Sequence, residues 1–328
     1  MAERSPPCVV VIVPVRNRRD LLAALLDALD AQTFTDFEVV IVDDGSTDGT
    51  GPVAANRRVA GRPVRVLRRG GEGAVAARRD GVAASHAPYL AFTDSDCVPD
   101  PGWLAAGVAA LERGADLVNG CTRPARPLRP LERSVYSGEE GLYPTCNVFY
   151  RREAFVRAGG FDSSAADRLG FRHNPRARGL GFGEDTLLAW RLIRAGGRVR
   201  YAPDAFVHHH VFPPNLVESL SRGWMAAAFP ALVREVPELR SVLLRRHFLL
   251  GPRSRVPVYA TVAALVTRRP AVVAAAAGWW VVTRARDVRR APVRWPWKLA
   301  ALPLEMVLDV ATSAALVIGS VRARTVVL

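Results

Sequence analysis

The run Val9-Val10-Val11-Ile12-Val13 constrains this chain most. It is apolar and β-branched at every position, so as a strand it must be covered on both faces. Pro14 is expected to end it. A helical pattern follows over 18–31, with Leu21, Leu22, Leu25, Leu26 and Leu29 recurring at helical spacing and Asp20 near its start. A second buried strand is expected over 37–42, a third over 64–67, a helix over 74–84 and a fourth strand over 89–93. Strands alternating with helices predict an α/β fold, a mostly parallel sheet flanked by helices. In such sheets ligands bind beyond the carboxyl ends of the strands. Both acidic clusters of this half, Asp43-Asp44 and Asp94-Ser95-Asp96, directly follow an expected strand.

Past residue 120 the pattern changes. A Pro- and Arg-rich stretch over 122–133 reads as an exposed crossing loop. Extended chain is expected over 145–150, a short helix over 153–158, and a Gly-rich polar segment over 159–183, long enough to suggest a functional loop. A helix over 184–195 is stopped by Gly196-Gly197. An extended stretch over 199–207 runs into His208-His209-His210, where alternation puts His209 on the face opposite the other two. Two carboxylates at i and i+2 after a strand suit an oxygen-bound divalent cation, with Asp96 the direct ligand; the same tripeptide also suits a plain turn.

The segments VVVIVPVRNRRDLLAALLDAL, QTFTDFEVVIVDDGSTDGT, GAVAARRDGVAAS, YLAFTDSDCVPDPGWL, GGFD and GEDTLLAWRLIRAG follow one another in order. Together, over residues 8–210, they resemble the family 2 inverting glycosyltransferases with a GT-A fold. The resemblance implies a nucleotide-diphosphate sugar donor and a divalent Mn2+ or Mg2+ ion. It implies that Pro14 and Arg16 line the nucleotide pocket, that Asp44 accepts a hydrogen bond from the base edge, and that Arg78 contacts the donor. Arg79 departs from the asparagine usual beside that arginine. Asp94 would reach toward the ribose and assist Asp96 at the metal, and His209 would complete the metal shell. Glu184-Asp185 matches the family's catalytic acidic pair, with Asp185 the general base; acidic residues in a first helical turn also serve as plain caps. Asn147 and the turn holding Gly160 would form the acceptor-side wall, with Trp190 and Arg191 supporting it from behind.

Charge divides the chain unevenly. Residues 1–244 hold 31 basic and 28 acidic residues, whereas 245–328 hold 14 and 3. Apolar pieces over 256–266, 271–283 and 306–321 alternate there with Trp279-Trp280, Arg284, Arg286, Arg289, Arg290, Arg294, Trp295, Trp297 and Lys298. Arg268-Arg269, Pro303, Glu305 and Asp309 interrupt any span of about twenty apolar residues, which argues against a clean membrane-crossing helix. Apolar faces flanked by tryptophan and cations instead suit helices lying on an anionic membrane surface. The expected organisation is therefore a catalytic domain over 1–244 and a helical, membrane-associating extension over 245–328. The expected location is the cytoplasmic face of the cell membrane, peripheral or monotopic, with a glycan or lipid-linked acceptor and no nucleic-acid partner. The competing reading is a non-catalytic membrane-surface adaptor that keeps the fold. No export signal is expected at the N-terminus. The single cysteines Cys8, Cys97, Cys121 and Cys146 suit reduced thiols, with no metal site expected from their spacing.

Overall fold

The computed structural model describes residues 6–139, 141–170, 182–249, 255–289 and 295–328, without the side chains of 285–289 and 295–299. Two compact units divide the chain. The first comprises residues up to 125 with 135–166 and 178–210, and the second comprises 126–134, 167–177 and 211–328. Packing thus changes near residue 210, ahead of the change in charge at 245, because the helices after 211 pack with the C-terminal ones although their composition is still mixed.

The first unit is built on β1 (Val9–Val15), α1 (Arg19–Asp30), β2 (Phe37–Asp43), α2 (Thr50–Ala55), the small hairpin β3 (Arg58–Val59) and β4 (Arg62–Pro63), and β5 (Arg65–Arg68). Then come α3 (Ala74–Ala83), β6 (Tyr89–Thr93), β7 (Cys97–Pro99), α4 (Trp103–Glu112), β8 (Leu117–Pro124), β9 (Asn147–Arg151), α5 (Arg152–Arg157), α6 (Ala165–Arg168, its last two residues counted with the second unit), α7 (Glu184–Arg194) and β10 (Val199–His209). Eight strands form one sheet in the order β5-β2-β1-β6-β9-β8-β10-β7. β1 lies between β2 and β6, parallel to both, and every one of its residues is buried, as an all-β-branched strand requires.

Pro14 does not end β1. The strand continues to Val15, with Pro14 opposite Val42 of β2. The β1–β6 ladder stops at Ile12–Phe92, so Pro14 sits where the strand is paired on one side only and a missing N–H costs no ladder bond. Four of the seven neighbouring pairs are parallel; β9 breaks the run, antiparallel to both β6 and β8, and β7 caps the edge antiparallel to β10. β9 is reached by a long crossing with no helix among its described residues, so no parallel crossover dictates its direction.

One face of the sheet packs Val9, Val11 and Val13 against Leu22, Leu25, Leu26 and Leu29 of α1. The other packs Val10, Ile12, Phe92 and Tyr150 with Phe155, Phe161 and Leu188. α3 approaches β1 closely because residue 81 is glycine: a Cβ there would lie 2.4 Å from Ile12 Cγ2.

In the second unit α8 (Leu216–Met225) is capped by Asn215, whose side chain accepts from Glu218 N at 3.0 Å. α9 (Phe229–Glu235), α10 (Leu239–Leu243) and the hairpin β11 (Leu244–Arg245) and β12 (Phe248–Leu249) follow. α11 (Val256–Val266), α12 (Pro270–Arg289) and α13 (Trp295–Ala323) complete the unit. α13 is continuous through Pro303, Glu305 and Asp309, the residues that interrupt its apolar run. Asp309 is 3% exposed and its charge is met: Oδ2 accepts from Trp280 Nε1 at 3.0 Å and Arg284 Nε at 2.6 Å. The 24 residues Ala300–Ala323 are, by length and composition, long and apolar enough to cross a membrane. Trp279, Val262, Leu265, Val266 and Val321 are exposed. The side chains of Arg286, Arg289, Arg290, Arg294, Trp295, Trp297 and Lys298 lie outside the described residues.

Candidate active site

The loops that follow β1 and β2 form one laced wall. Asn17, at φ 51°, donates its N–H to Ser46 Oγ (2.9 Å), and its Oδ1 accepts from Thr47 N (2.8 Å). Arg18 N donates to Thr50 Oγ1 (3.1 Å) and Arg19 N to Asp48 Oδ2 (3.2 Å). Asp43 is buried and accepts from Ser46 N at 2.8 Å, while Asp44 turns both oxygens to the next loop, accepting from Glu72 N (2.9 Å) and Gly73 N (2.8 Å). Each Asp44 oxygen keeps a second lone-pair direction for a ligand. Pro14 is buried below this wall, and Arg16, exposed above it, lies over Gly71.

Asp94-Ser95-Asp96 joins β6 to β7, and its two carboxylates diverge. Asp94 Oδ1 accepts from Arg78 Nη2 at 2.7 Å. Arg78, 5% exposed on α3, also places Nη1 3.7 Å from Glu184 Oε1, so one guanidinium links the loop after β6 to the start of α7. Glu184 is 5% exposed; burial pushes its carboxyl upward and Arg78 opposes the shift.

Asp185 follows, at the first turn of α7, where Gly183 takes φ 77° to bring the chain in. Burial, then the neighbouring charge of Glu184, pushes the Asp185 carboxyl up to about 7. Its Oδ1 accepts from Thr186 N at 2.7 Å. A carboxylate of that proton affinity suits general-base work at neutral pH better than a capping residue, whose carboxyl the helix dipole would lower. Of the Gly-rich approach, Gly179, Leu180 and Gly181 lie outside the described residues.

Asp96 faces the other way. Its Oδ1 is buried without a hydrogen-bond partner and lies 3.5 Å from His209 Nε2, while His209 Nδ1 is 2.8 Å from the His210 carbonyl. That carbonyl can only accept, so Nδ1 carries the hydrogen and, in the neutral ring, Nε2 carries the lone pair. Burial, then the charge of Asp94, raises the Asp96 carboxyl, an arrangement a cation would relieve. Ligand atoms of Asp96, Cys97 and His209 all lie within 4.8 Å of one another, so the residues present fit a divalent ion.

Asn147 is not at an acceptor wall. It is fully buried, its Oδ1 accepting from Trp103 Nε1 (2.8 Å) and its Nδ2 donating to the carbonyls of Cys121 (3.0 Å) and Ala205 (2.9 Å). Its polar side chain is spent fastening α4, β8 and β10 together. Trp190 Nε1 donates to the Gly141 carbonyl (3.0 Å) and Arg191 Nη2 to that of Gly160 (2.6 Å), so α7 braces both the 141–143 segment and the Gly159-Gly160 turn. Two residues escaped the sequence reading. Arg18 lies close enough to lower the Asp96 carboxyl by its charge, and Cys97 flanks Asp96; only adjacency to the two motifs signalled either.

Such a sheet, with acidic loops beyond β2 and β6 and an acidic pair opening α7, has the GT-A fold. Residues 10–162 match Glycosyl transferase family 2. Pre-mycofactocin glycosyltransferase of Mycobacterium tuberculosis is 31% identical over 222 residues, which are 61% of this chain and 42% of that protein. Glycosyltransferase AglE of Haloferax volcanii is 38% identical over 170 residues, 47% of this chain and 56% of that protein. The chain thus spans about half the length of these relatives. Mannosyltransferase PcManGT from Pyrobaculum calidifontis, solved with GDP-Man and Mn2+, shares the fold: TM-score 0.62 at 18% identity, covering 94% of this chain and 86% of that one.

Proposed function

We propose that the protein is an inverting glycosyltransferase that moves a sugar from a nucleotide-diphosphate donor to an acceptor hydroxyl, with Asp185 as general base. The observation that carries this reading is the linked series Asp94, Arg78, Glu184, Asp185, buried at Arg78 and Glu184 and ending in a carboxyl raised to about 7. As the acceptor oxygen attacks the anomeric carbon, Asp185 takes its proton; the bond from that carbon to the diphosphate breaks and its electron pair leaves with the diphosphate. One base and no protein nucleophile among the described residues support a single displacement, with inversion. Glu184 positions rather than reacts, because Arg78 holds it. Asp44 and Arg16 flank the nucleoside, and Asp94 and Arg78 serve the ribose and phosphate side. A bound Mn2+ or Mg2+, held by Asp96 and His209 with Asp94 assisting, would supply positive charge to the leaving diphosphate.

We assign the reaction to the cytoplasmic face of the cell membrane and to a glycan or lipid-linked acceptor. The apolar exposure of α11, α12 and α13 and the apolar stretch Ala300–Ala323 support that assignment. Turnover of a panel of nucleoside-diphosphate sugars with Mn2+ is the test, on wild type, Asp185→Asn and Asp96→Ala. Asp185→Asn is expected to bind nucleoside diphosphate normally and lose turnover by about 10²–10⁴, and Asp96→Ala to lose metal-dependent nucleotide binding. Undiminished turnover in both variants, or a product that retains the donor's anomeric configuration, defeats the assignment.

A further inference from the structure

We propose that Cys97 is a metal ligand. Its sulfur joins the Asp96 carboxylate and the His209 imidazole in a mixed sulfur, nitrogen and oxygen site that favours thiophilic divalent ions such as Zn2+ and Co2+ over Mn2+. The proposal rests on the metal reading above.

The spacing of the four cysteines along the chain gives no hint of this; the sheet edge does. β7 and β10 run antiparallel, and His209 pairs directly with Cys97. Residues directly opposite in such a pair carry their side chains on one face, with Cβ atoms about 4.5–5.5 Å apart. Asp96 precedes Cys97, and its backbone carbonyl accepts from His210 N at 2.8 Å, which locks the turn against the end of β10. A sulfur, a ring nitrogen and a carboxylate oxygen therefore converge within 4.8 Å of one another. The His210 carbonyl, by holding Nδ1–H, fixes the ring in the tautomer a ligand needs. Asp96 Oδ1 is buried without a hydrogen-bond partner beside it.

The donor set decides the preference. Manganese and magnesium take oxygen ligands and gain little from sulfur, whereas zinc and cobalt bind thiolate strongly and accept four-coordinate sites of three protein groups and one exogenous ligand. On binding, a metal–sulfur bond forms and the thiol proton leaves to the buffer, one proton per ion. Cys146 is the cysteine to exclude: it is buried near Cys97, with Sγ 3.8 Å from Thr122 Oγ1.

The test is a Co2+ titration of the full chain followed by electronic absorption, beside Mn2+ binding followed by electron paramagnetic resonance. Wild type and Cys146→Ser are expected to show a near-ultraviolet thiolate-to-cobalt charge-transfer band. Cys97→Ser, confirmed folded by its thermal midpoint, is expected to lose the band and to bind Co2+ more weakly by about 10–100-fold, the scale of altered metal environments, with Mn2+ affinity little changed. Binding of both ions with no charge-transfer band in wild type overturns the cysteine assignment alone. Absence of any Co2+ or Mn2+ binding overturns the metal reading and this assignment with it.

Discussion

Replacing Asp185 with asparagine is expected to stabilise the fold while abolishing turnover. The Asp185 carboxyl is raised from its ordinary value of 3.8 to about 7, by burial first and by Glu184 second. The fold therefore holds the proton more tightly than the unfolded chain does. Stability from this group is fully present below about pH 3.8 and is lost as the pH rises through 7. Each pH unit of separation is worth about 1.4 kcal/mol, so the ionised carboxylate costs at most about 4 kcal/mol above pH 7. Asp185 keeps partial contact with solvent, which reduces the measurable share to about 1–2 kcal/mol. Asparagine can still accept from Thr186 N and carries no charge to bury. Chemical denaturation at pH 8 is expected to show Asp185→Asn more stable than wild type, with the gap narrowing steadily as the pH falls from 7 toward 4. In the wild type the acidic limb of the transfer rate is expected to rise with its midpoint near pH 7. A variant that is less stable at pH 8, or a stability gap independent of pH, would refute the reasoning, because Asp185 would then be a satisfied ion rather than a base held under strain.

Arg78→Ala leaves Asp94 and Glu184 without their shared cation and is expected to destabilise by about 3–5 kcal/mol. Adding Glu184→Gln should restore part of that loss in a denaturation double-mutant cycle. Asn147→Ala orphans the Trp103 N–H and the carbonyls of Cys121 and Ala205, so denaturation should show a loss of about 2–4 kcal/mol, with the KM for acceptor unchanged in the surviving enzyme. Asp309→Ala removes the carboxylate shared by half-buried Arg284 and Arg255 and should cost about 3–5 kcal/mol, part of it recovered by Arg284→Met in the same chain, as read by thermal denaturation in detergent.

The first half of the fold was legible because period and punctuation agree there. The run 9–13 could only be a doubly covered strand, the leucines of 18–31 could only be one face of a helix, and 89–93 emerges as β6 without adjustment. Pro14 misled because its cost depends on which flank of β1 is paired, a fact held by β6 rather than by the local sequence. The acidic clusters were visible as motifs, yet the bond between them was not: Arg78 and Glu184 are far apart in the chain and meet only through the packing of α3 and α7. Asn147 reads as a polar residue near a turn, and nothing local announces three partners on three elements. In α13 the charge at 309 argued against an unbroken apolar span, and only α12, with Trp280 and Arg284, supplies the partners that meet it.

The glycine at position 81 sets a tolerance. A methyl group there would sit 2.4 Å from Ile12 Cγ2, so α3 would have to lift by about 1 Å to reach ordinary contact. Arg78 rides the same helix one turn earlier, and its 2.7 Å bond to Asp94 can lengthen by less than that before it ceases to be a hydrogen bond. The clearance between helix and sheet and the reach of the guanidinium are thus gauged to the same length. A single methyl, far from any ligand, would loosen the guanidinium bridge that ties the loop after β6 to the start of α7.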